Sequence, residues 1–247
     1  MNWPGDMPET VVVSFSGGKD STAALLWVRE HMPELPCYVV WADTGWEHPG
    51  LEAWNRAIMG QLGYKLTVVR SIYTFANLVK NRKWFPSASC RLCTARLKQE
   101  PIEKFIRSLP ADSIIHVSGL RADESRIRAG RAPWGINYRL TNGRRTVYEF
   151  LPIHNWTAEQ VRGYIRAHSL PLHPVYGHLS RLSCRLCIFQ TRREIEAIEH
   201  YDPEAIEIIE SLEEEIGRTM SPLQYPIRSL IRARQAQTKL ELFPAGA

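Results

Sequence analysis

The sequence predicts an α/β fold: a doubly wound, mainly parallel five-stranded sheet with helices on both faces, plus a helical C-terminal extension. Three observations predict it. Short β-branched runs alternate with apolar patterns of helical period. The runs lead into small polar residues or glycine. The 247 residues, 44% of them hydrophobic, can bury a full core.

The first run, Thr10-Val11-Val12-Val13-Ser14-Phe15, leads into Ser16-Gly17-Gly18-Lys19-Asp20-Ser21. A helix is expected over Ser21–His31, with Ala23, Leu25, Leu26 and Val28 apolar. The second run, Cys37–Trp41, ends at Asp43-Thr44-Gly45; a helix over Leu51–Leu62 and a strand over Lys65–Val69 follow. Phe75–Lys80 reads as a short helix and Ala95–Leu109 as a longer one. The fourth strand, Ser113–Val117, runs into Ser118-Gly119-Leu120-Arg121. Ligands of open α/β sheets sit outside the carboxyl ends of the strands, so Ser16, Asp43 and Gly119 are expected to line one crevice.

Arg121, Arg126, Arg128, Arg131, Arg139, Arg144 and Arg145 crowd the next stretch, which shows no clear period and reads as a long loop facing an anion; a solvated basic loop is the plainer alternative. A strand over Thr146–Leu151 closes it. Thr157-Ala158-Glu159-Gln160 has the form of a capping box and opens a helix to about His168, and Pro171, Pro174 and Gly177 then break the chain. The remainder is expected to be helical, with Ile195, Ile198, Ile206, Ile209 and Leu212 at helical spacing and a basic amphipathic stretch over Ile227–Arg234. Two domains are expected, 1–190 and 191–247, the first holding all the chemistry described below.

No run of eighteen apolar residues occurs, and Met1–Thr10 has neither a basic nor an apolar signal region, so a membrane span is excluded and a cytoplasmic location is expected. The formal charge is a modest +5.

Between a strand and a helix, the loop Ser16–Ser21 offers unpaired amides at the positive end of a helix dipole, which suits a phosphate. Glycine lets a ligand approach the backbone, Lys19 adds charge, and Asp20 is a helix cap or a magnesium contact. The plain alternative is a glycine turn with no ligand. The spacing fits neither the Walker loop nor the dinucleotide-binding glycine turn.

Five cysteines are too few and too clustered for a disulfide framework. Cys90-Arg91-Leu92-Cys93 and Cys184-Arg185-Leu186-Cys187 repeat one tetrapeptide, and two such turns complete a four-thiolate metal site. Two separate redox motifs, or four buried cysteines with no ligand, are the alternatives. Zinc and a [4Fe–4S] cluster both accept four thiolates. Arg91, Arg96, Lys98, Arg181 and Arg185 lie close in sequence to offset the negative charge of either. Cys37, at the start of its strand, reads as a core cysteine.

Ser-Gly-Gly-Lys-Asp-Ser resembles the PP-loop of adenine nucleotide α-hydrolase-like enzymes, and the surrounding blocks resemble the phosphoadenosine and adenosine phosphosulfate reductase family. Cys93 with Lys98 and Pro101 is similar to the family's first cysteine block; Pro171, Pro174, Tyr176, Ser180, Cys184 and Cys187 follow its second. Asp43-Thr44-Gly45 resembles the nucleotide-edge strand, and Gly119-Leu120-Arg121-Ala122-Asp123-Glu124-Ser125 with Arg128 the anion loop. Leu151-Pro152-Ile153 with Trp156-Thr157 resembles the entry into the next helix. The likeness spans about residues 10 to 190. It implies a nucleotide, ATP or a phosphosulfate (PAPS or APS), held by Ser14, Ser16, Gly17, Gly18, Lys19, Asp20, Ser21, Asp43, Thr44, Gly45, Gly119, Arg121, Glu124 and Ser125. Lys19, Asp20, Arg121 and Arg128 would be catalytic, Asp20 or Asp43 would hold Mg2+, and Cys90, Cys93, Cys184 and Cys187 would carry the cluster, with zinc as the alternative.

Two departures matter. The family's first block has adjacent cysteines, and its reductases carry a Glu-Cys-Gly tail, whereas no cysteine follows Cys187. The expectation is therefore ATP pyrophosphatase and adenylyl-transfer chemistry linked to sulfur transfer, as in PP-loop sulfurtransferases, with nucleic acid or a sulfur-donor protein as partner and a homodimer as one assembly. Reduction with an external thiol, and a nucleotide- or DNA-binding module with a structural metal, are the alternatives.

Overall fold

In the computed structural model, residues 8–221 and 225–231 are described. Six strands form one sheet in the order β3-β2-β1-β4-β6-β5. They are β1 (Thr10–Ser14), β2 (Cys37–Asp43), β3 (Leu66–Arg70), β4 (Ser113–Ser118), β5 (Trp134–Ile136) and β6 (Thr146–Phe150). The five expected strands are all present and mutually parallel where they pair. The expected count of five is corrected by β5, which pairs antiparallel with β6 from inside the basic stretch. Three residues around Gly135 are too short a signal for periodicity to detect.

β1 lies at the centre because Val11, Val12 and Val13 are apolar on both faces, as a strand covered on both sides requires. The chain runs outward from β1 through β2 to β3 and then returns to the other side of β1 as β4. This reversal puts the topological switch point between β1 and β4. One face carries α4 (Glu100–Ser108), whose Ile106 packs with Val12, Val40, Ile114 and Val147. On the opposite face lies α1 (Lys19–His31), whose Trp27 meets Phe150 edge-on; α6 (Ala158–Ala167) packs against α1.

The remaining helices are α2 (Leu51–Leu62), α3 (Phe75–Arg82), α5 (Arg126–Ala129), α7 (Arg192–Tyr201) and α8 (Pro203–Ile216). The helix expected over Ala95–Leu109 has a π-helical first part, Thr94–Gln99. Pro101 lacks the amide that would bond Leu97 in an α-helix, so the wider turn has a local cause. The capping box at Thr157 forms as expected: Gln160 N–H donates to Thr157 Oγ1 (3.2 Å), and Thr157 N–H to Gln160 Oε1 (2.7 Å). Of the basic stretch, residues 227–231 are helical, and Arg232 to Arg234 lie outside the described residues.

The chain forms two compact units. The sheet unit comprises residues 8–43, 50–71 and 98–174 of the described chain, and the helical unit the rest. The helical unit has its own core, in which Trp46, Phe75, Val79, Leu97, Leu186, Ile198, Ile206 and Ile209 are buried together. No helix among the described residues is long and apolar enough to cross a membrane.

Candidate functional site

In the sheet unit, β1 ends at Ser14 and the chain turns through Ser16, Gly17 and Gly18 into α1 at Lys19, two residues before the expected start. Gly17 adopts φ +79°, and a Cβ there would sit 2.1 Å from Asn55 Oδ1, so only glycine fits. The turn is cross-braced by hydroxyls. Ser16 N–H donates to Ser21 Oγ (3.1 Å), and Ser21 and Thr22 hydroxyls each donate to Gly18 O (3.0 Å). Gly119, just past β4, lies so close that a Cβ would come within 2.5 Å of the Asp20 carbonyl. The ends of β1 and β4 therefore meet at the switch point, with the loop between them.

The charges there converge on Asp20. Lys19 Nζ donates to Asp20 Oδ2 (2.6 Å) and Arg121 Nε to Asp20 Oδ1 (2.6 Å), with Lys19 and Arg121 both buried. Arg121 also bonds Asp123 and donates to Trp156 O (3.2 Å). Burial works against the Arg121 charge, but Asp20 and Asp123 outweigh it, so its pKa is raised and it stays cationic. Two cations share one carboxylate at the mouth of an amide-rich turn. A polyanion whose own charge is partly neutralised could take both cations from Asp20.

Other expected residues are placed as follows. Asp43 is paired with Arg70 on the neighbouring strand (2.8 Å). Glu124 accepts from Arg121 N–H (3.0 Å) and pairs with Arg128, while Ser125 Oγ caps α5 through Arg128 N–H (3.2 Å). Thr44 and Gly45 belong to the helical unit: Thr44 Oγ1 donates to Glu47 (2.7 Å), its carbonyl accepts from Phe75 N–H (3.0 Å), and Gly45 has φ +68°.

Within the arginine-rich stretch, several side chains besides Arg121 have local partners. Arg145 donates to the carbonyls of Ile106 (2.9 Å), Leu109 and Ala111 (2.8 Å), satisfying the end of α4. Arg139 pairs with Glu103, Arg144 with Asp112 and Arg128 with Glu124. Arg145 thus has a structural use that composition alone does not distinguish from ligand binding.

Two residues of this region escaped the sequence reading. Asn55 on α2 is fully buried against Gly17, and neither amide atom has a hydrogen-bond partner. His116 on β4 has Nε2 2.7 Å from Ser14 Oγ. No motif marks either; a polar residue inside an apolar strand was the only available signal for His116. Burial pushes the Cys37 thiol up to about 12, which disfavours its thiolate.

All four cysteines of the repeated tetrapeptides belong to the helical unit. Cys93 and Cys184 pack against its core, and Arg91 and Arg181 both lie over the Phe189 ring, at 5.2 and 5.6 Å. Cys90 is exposed and the other three are partly buried. No disulfide joins them. Four thiols suit a soft metal or cluster by donor chemistry, yet among the described residues no three His, Cys, Asp or Glu side chains are drawn together as a ligand set. Arg185 is buried, bonded twice to Asp202 (both 2.6 Å) and to Glu204, and these carboxylates hold its pKa up.

Residues 10–190 match the family model described as the phosphoadenosine phosphosulfate reductase domain. The phosphoadenosine 5'-phosphosulfate reductase of Synechocystis sp. is 29% identical over 69% of this chain and 66% of its own length. An uncharacterized 37.8 kDa protein of Escherichia phage 186 is 27% identical over 79% of this chain and 72% of its own. The chain thus spans about two thirds of these relatives. Among solved structures, the phosphoadenylyl-sulfate reductase of Candida auris superposes with TM-score 0.51 at 16% identity, over 72% of this chain and 82% of that one. The U34-tRNA thiolase NcsA of Methanococcus maripaludis, solved with its [4Fe-4S] cluster, superposes with TM-score 0.52 at 14% identity, over 98% and 77%. With a glycine loop at the β1–β4 switch point and a family match over most of its length, the chain belongs to the phosphoadenosine phosphosulfate reductase domain family.

Proposed function

We propose that this chain binds ATP on the Ser16–Ser21 loop and catalyses adenylyl transfer that activates an acceptor for sulfur. The observation that carries the reading is the shared carboxylate: Lys19 and Arg121 are buried cations held in reserve by Asp20 at an amide-lined turn. An acceptor oxygen attacks the α-phosphorus, the bond to the bridging oxygen breaks, and pyrophosphate leaves with its electron pair. A sulfur nucleophile then displaces AMP from the adenylated acceptor. Lys19 and Arg121 exchange Asp20 for phosphate oxygens and stabilise the charge that develops during transfer. Gly17 and Gly18 admit the phosphates to the backbone amides. Asp20, or Asp43 after release from Arg70, would hold Mg2+, which neutralises the leaving pyrophosphate.

Cys90, Cys93, Cys184 and Cys187 would hold a [4Fe–4S] cluster, with zinc as the alternative; such a group supplies a soft Lewis-acidic atom for sulfur. The shared core of Cys93 and Cys184 supports this assignment, as does the likeness to a thiolase that carries such a cluster. Nucleic acid is the acceptor class, and a sulfur-donor protein the partner.

Pyrophosphate release from ATP, measured anaerobically with and without RNA or DNA, tests the reading: nucleic-acid-stimulated release is expected, and none under any condition ends it. The family match favours a second reading, reduction of an adenylyl sulfate by an external thiol. Thiol-dependent sulfite release in the same assay would select it.

A further inference from the structure

The sheet face beneath α4 is apolar at Val12, Val40, Ile114 and Val147, yet it carries one row of polar groups. By strand register His116 stands level with Val12 on one side and Glu149 on the other. Its Nε2 faces Ser14 Oγ at 2.7 Å. Beyond it, Glu149 Oε1 accepts from Asn137 Nδ2 at 3.0 Å. Asn137, Glu149, His116 and Ser14 thus run from the β5–β6 edge inward to the strand that opens the glycine loop. All four are partly exposed.

Burial lowers the pKa of His116, with the Glu149 charge opposing, so the ring is neutral near pH 7. A neutral imidazole has one donor nitrogen and one acceptor. With Nε2 turned to β1 and a carboxylate on the β6 flank, the ring dipole is best satisfied when the proton sits on Nδ1. Nε2 then accepts the Ser14 hydroxyl proton. Ser14 Oγ is left with lone pairs only, and it repels phosphate oxygens, which are acceptors themselves. The donors an adenine nucleotide offers are the adenine amine and the ribose hydroxyls.

We propose that His116, oriented by Glu149, is a positioning residue that makes Ser14 an acceptor-only contact for an N–H or O–H donor on the nucleoside half of the ligand. The inference rests on the nucleotide reading above and extends it: the loop takes phosphates, while Ser14 distinguishes a nucleotide from a bare polyphosphate.

The test compares ATP with inorganic tripolyphosphate by calorimetry. His116→Ala and Ser14→Ala are each expected to weaken ATP about 10-fold, the scale of one good hydrogen bond, and to leave tripolyphosphate unchanged. The double variant is expected to lose no more than either single one, because both remove the same contact. Nitrogen-15 NMR of the wild-type imidazole is expected to show the Nδ1-protonated tautomer, a readout that does not depend on how the variants fold. An Nε2-protonated ring, or equal weakening of both ligands, overturns the proposal. Wild-type protein that binds neither ligand overturns the nucleotide reading itself, and binding of tripolyphosphate without preference for ATP overturns only the nucleoside contact.

Discussion

Among the described residues, Asn55 has both ends of its side-chain amide buried without a hydrogen-bond partner. It is fully buried, and Gly17 is the backbone it faces. A buried polar group without a partner costs about 1–3 kcal/mol, so packing alone would favour leucine at this position. The amide is explained if it gains a phosphate oxygen or a rearranged loop amide when nucleotide binds. Asn55→Leu is therefore expected to raise the melting temperature of the ligand-free protein by about 3 °C while weakening ATP binding about 10-fold. Thermal unfolding and titration check both. A lower melting temperature with unchanged ATP affinity would make Asn55 a packing residue. The glycines of this site were legible because a turn between strand and helix requires them locally; Asn55 was not, because its meeting with Gly17 exists only after α2 docks.

Among the elements, the second cysteine turn depends on a carboxylate at the start of α7. Glu194 accepts from Ser180 N–H (3.1 Å) and Oγ–H (2.7 Å) before the turn, and from Thr191 N–H (2.9 Å) and Oγ–H (3.1 Å) after it. One buried side chain thus closes the segment that contains Cys184 and Cys187. Burial raises its pKa, but the hydrogen bonds from Ser180 and Thr191 outweigh burial and hold it below the ordinary carboxylate range. A depressed folded pKa means that the contribution is complete above the unfolded value and is lost as pH falls through the folded one. Hydrogen exchange of residues 180–191 is expected to lose protection selectively on acidification below about pH 4, corrected for intrinsic rates. Glu194→Gln should lower protection at pH 7 and remove the selective acid response; the same response in the variant would assign it elsewhere. Thr191-x-x-Glu194 has the same capping signature as Thr157-x-x-Gln160, and local chemistry made both legible. The reach from Glu194 to Ser180 is tertiary and was not. The π-helical turn before α4 likewise follows from Pro101 only once the helix is known to continue through it.

For the whole molecule, the sheet was the most legible part, because each parallel strand announces itself by a local run and the switch point follows from strand order. The helical unit is sewn from residues 44–49, 72–97 and the chain beyond 174, and no local signal marks that assembly. Its core draws α3, α7 and α8 together with Leu97 and Leu186, which places both cysteine turns in that unit rather than with the sheet. A metal held by those thiolates would bind the folded helical unit more tightly than the unfolded chain and so stabilise it by mass action. Anaerobically purified protein is expected to contain about four irons per chain for a [4Fe–4S] site, or one zinc for the alternative. Removing the metal with a chelator, or substituting Cys184→Ser, is expected to speed hydrogen exchange in residues 72–97 and 175–216 at least 10-fold. The central strands β1 and β4 should keep their protection, because their buried valines and isoleucines are packed within the sheet unit. A metal-free preparation with all thiols reduced and the helical unit fully protected would show that its apolar core suffices without a metal. Equal loss of protection in both units would instead make the metal a condition for folding the entire chain.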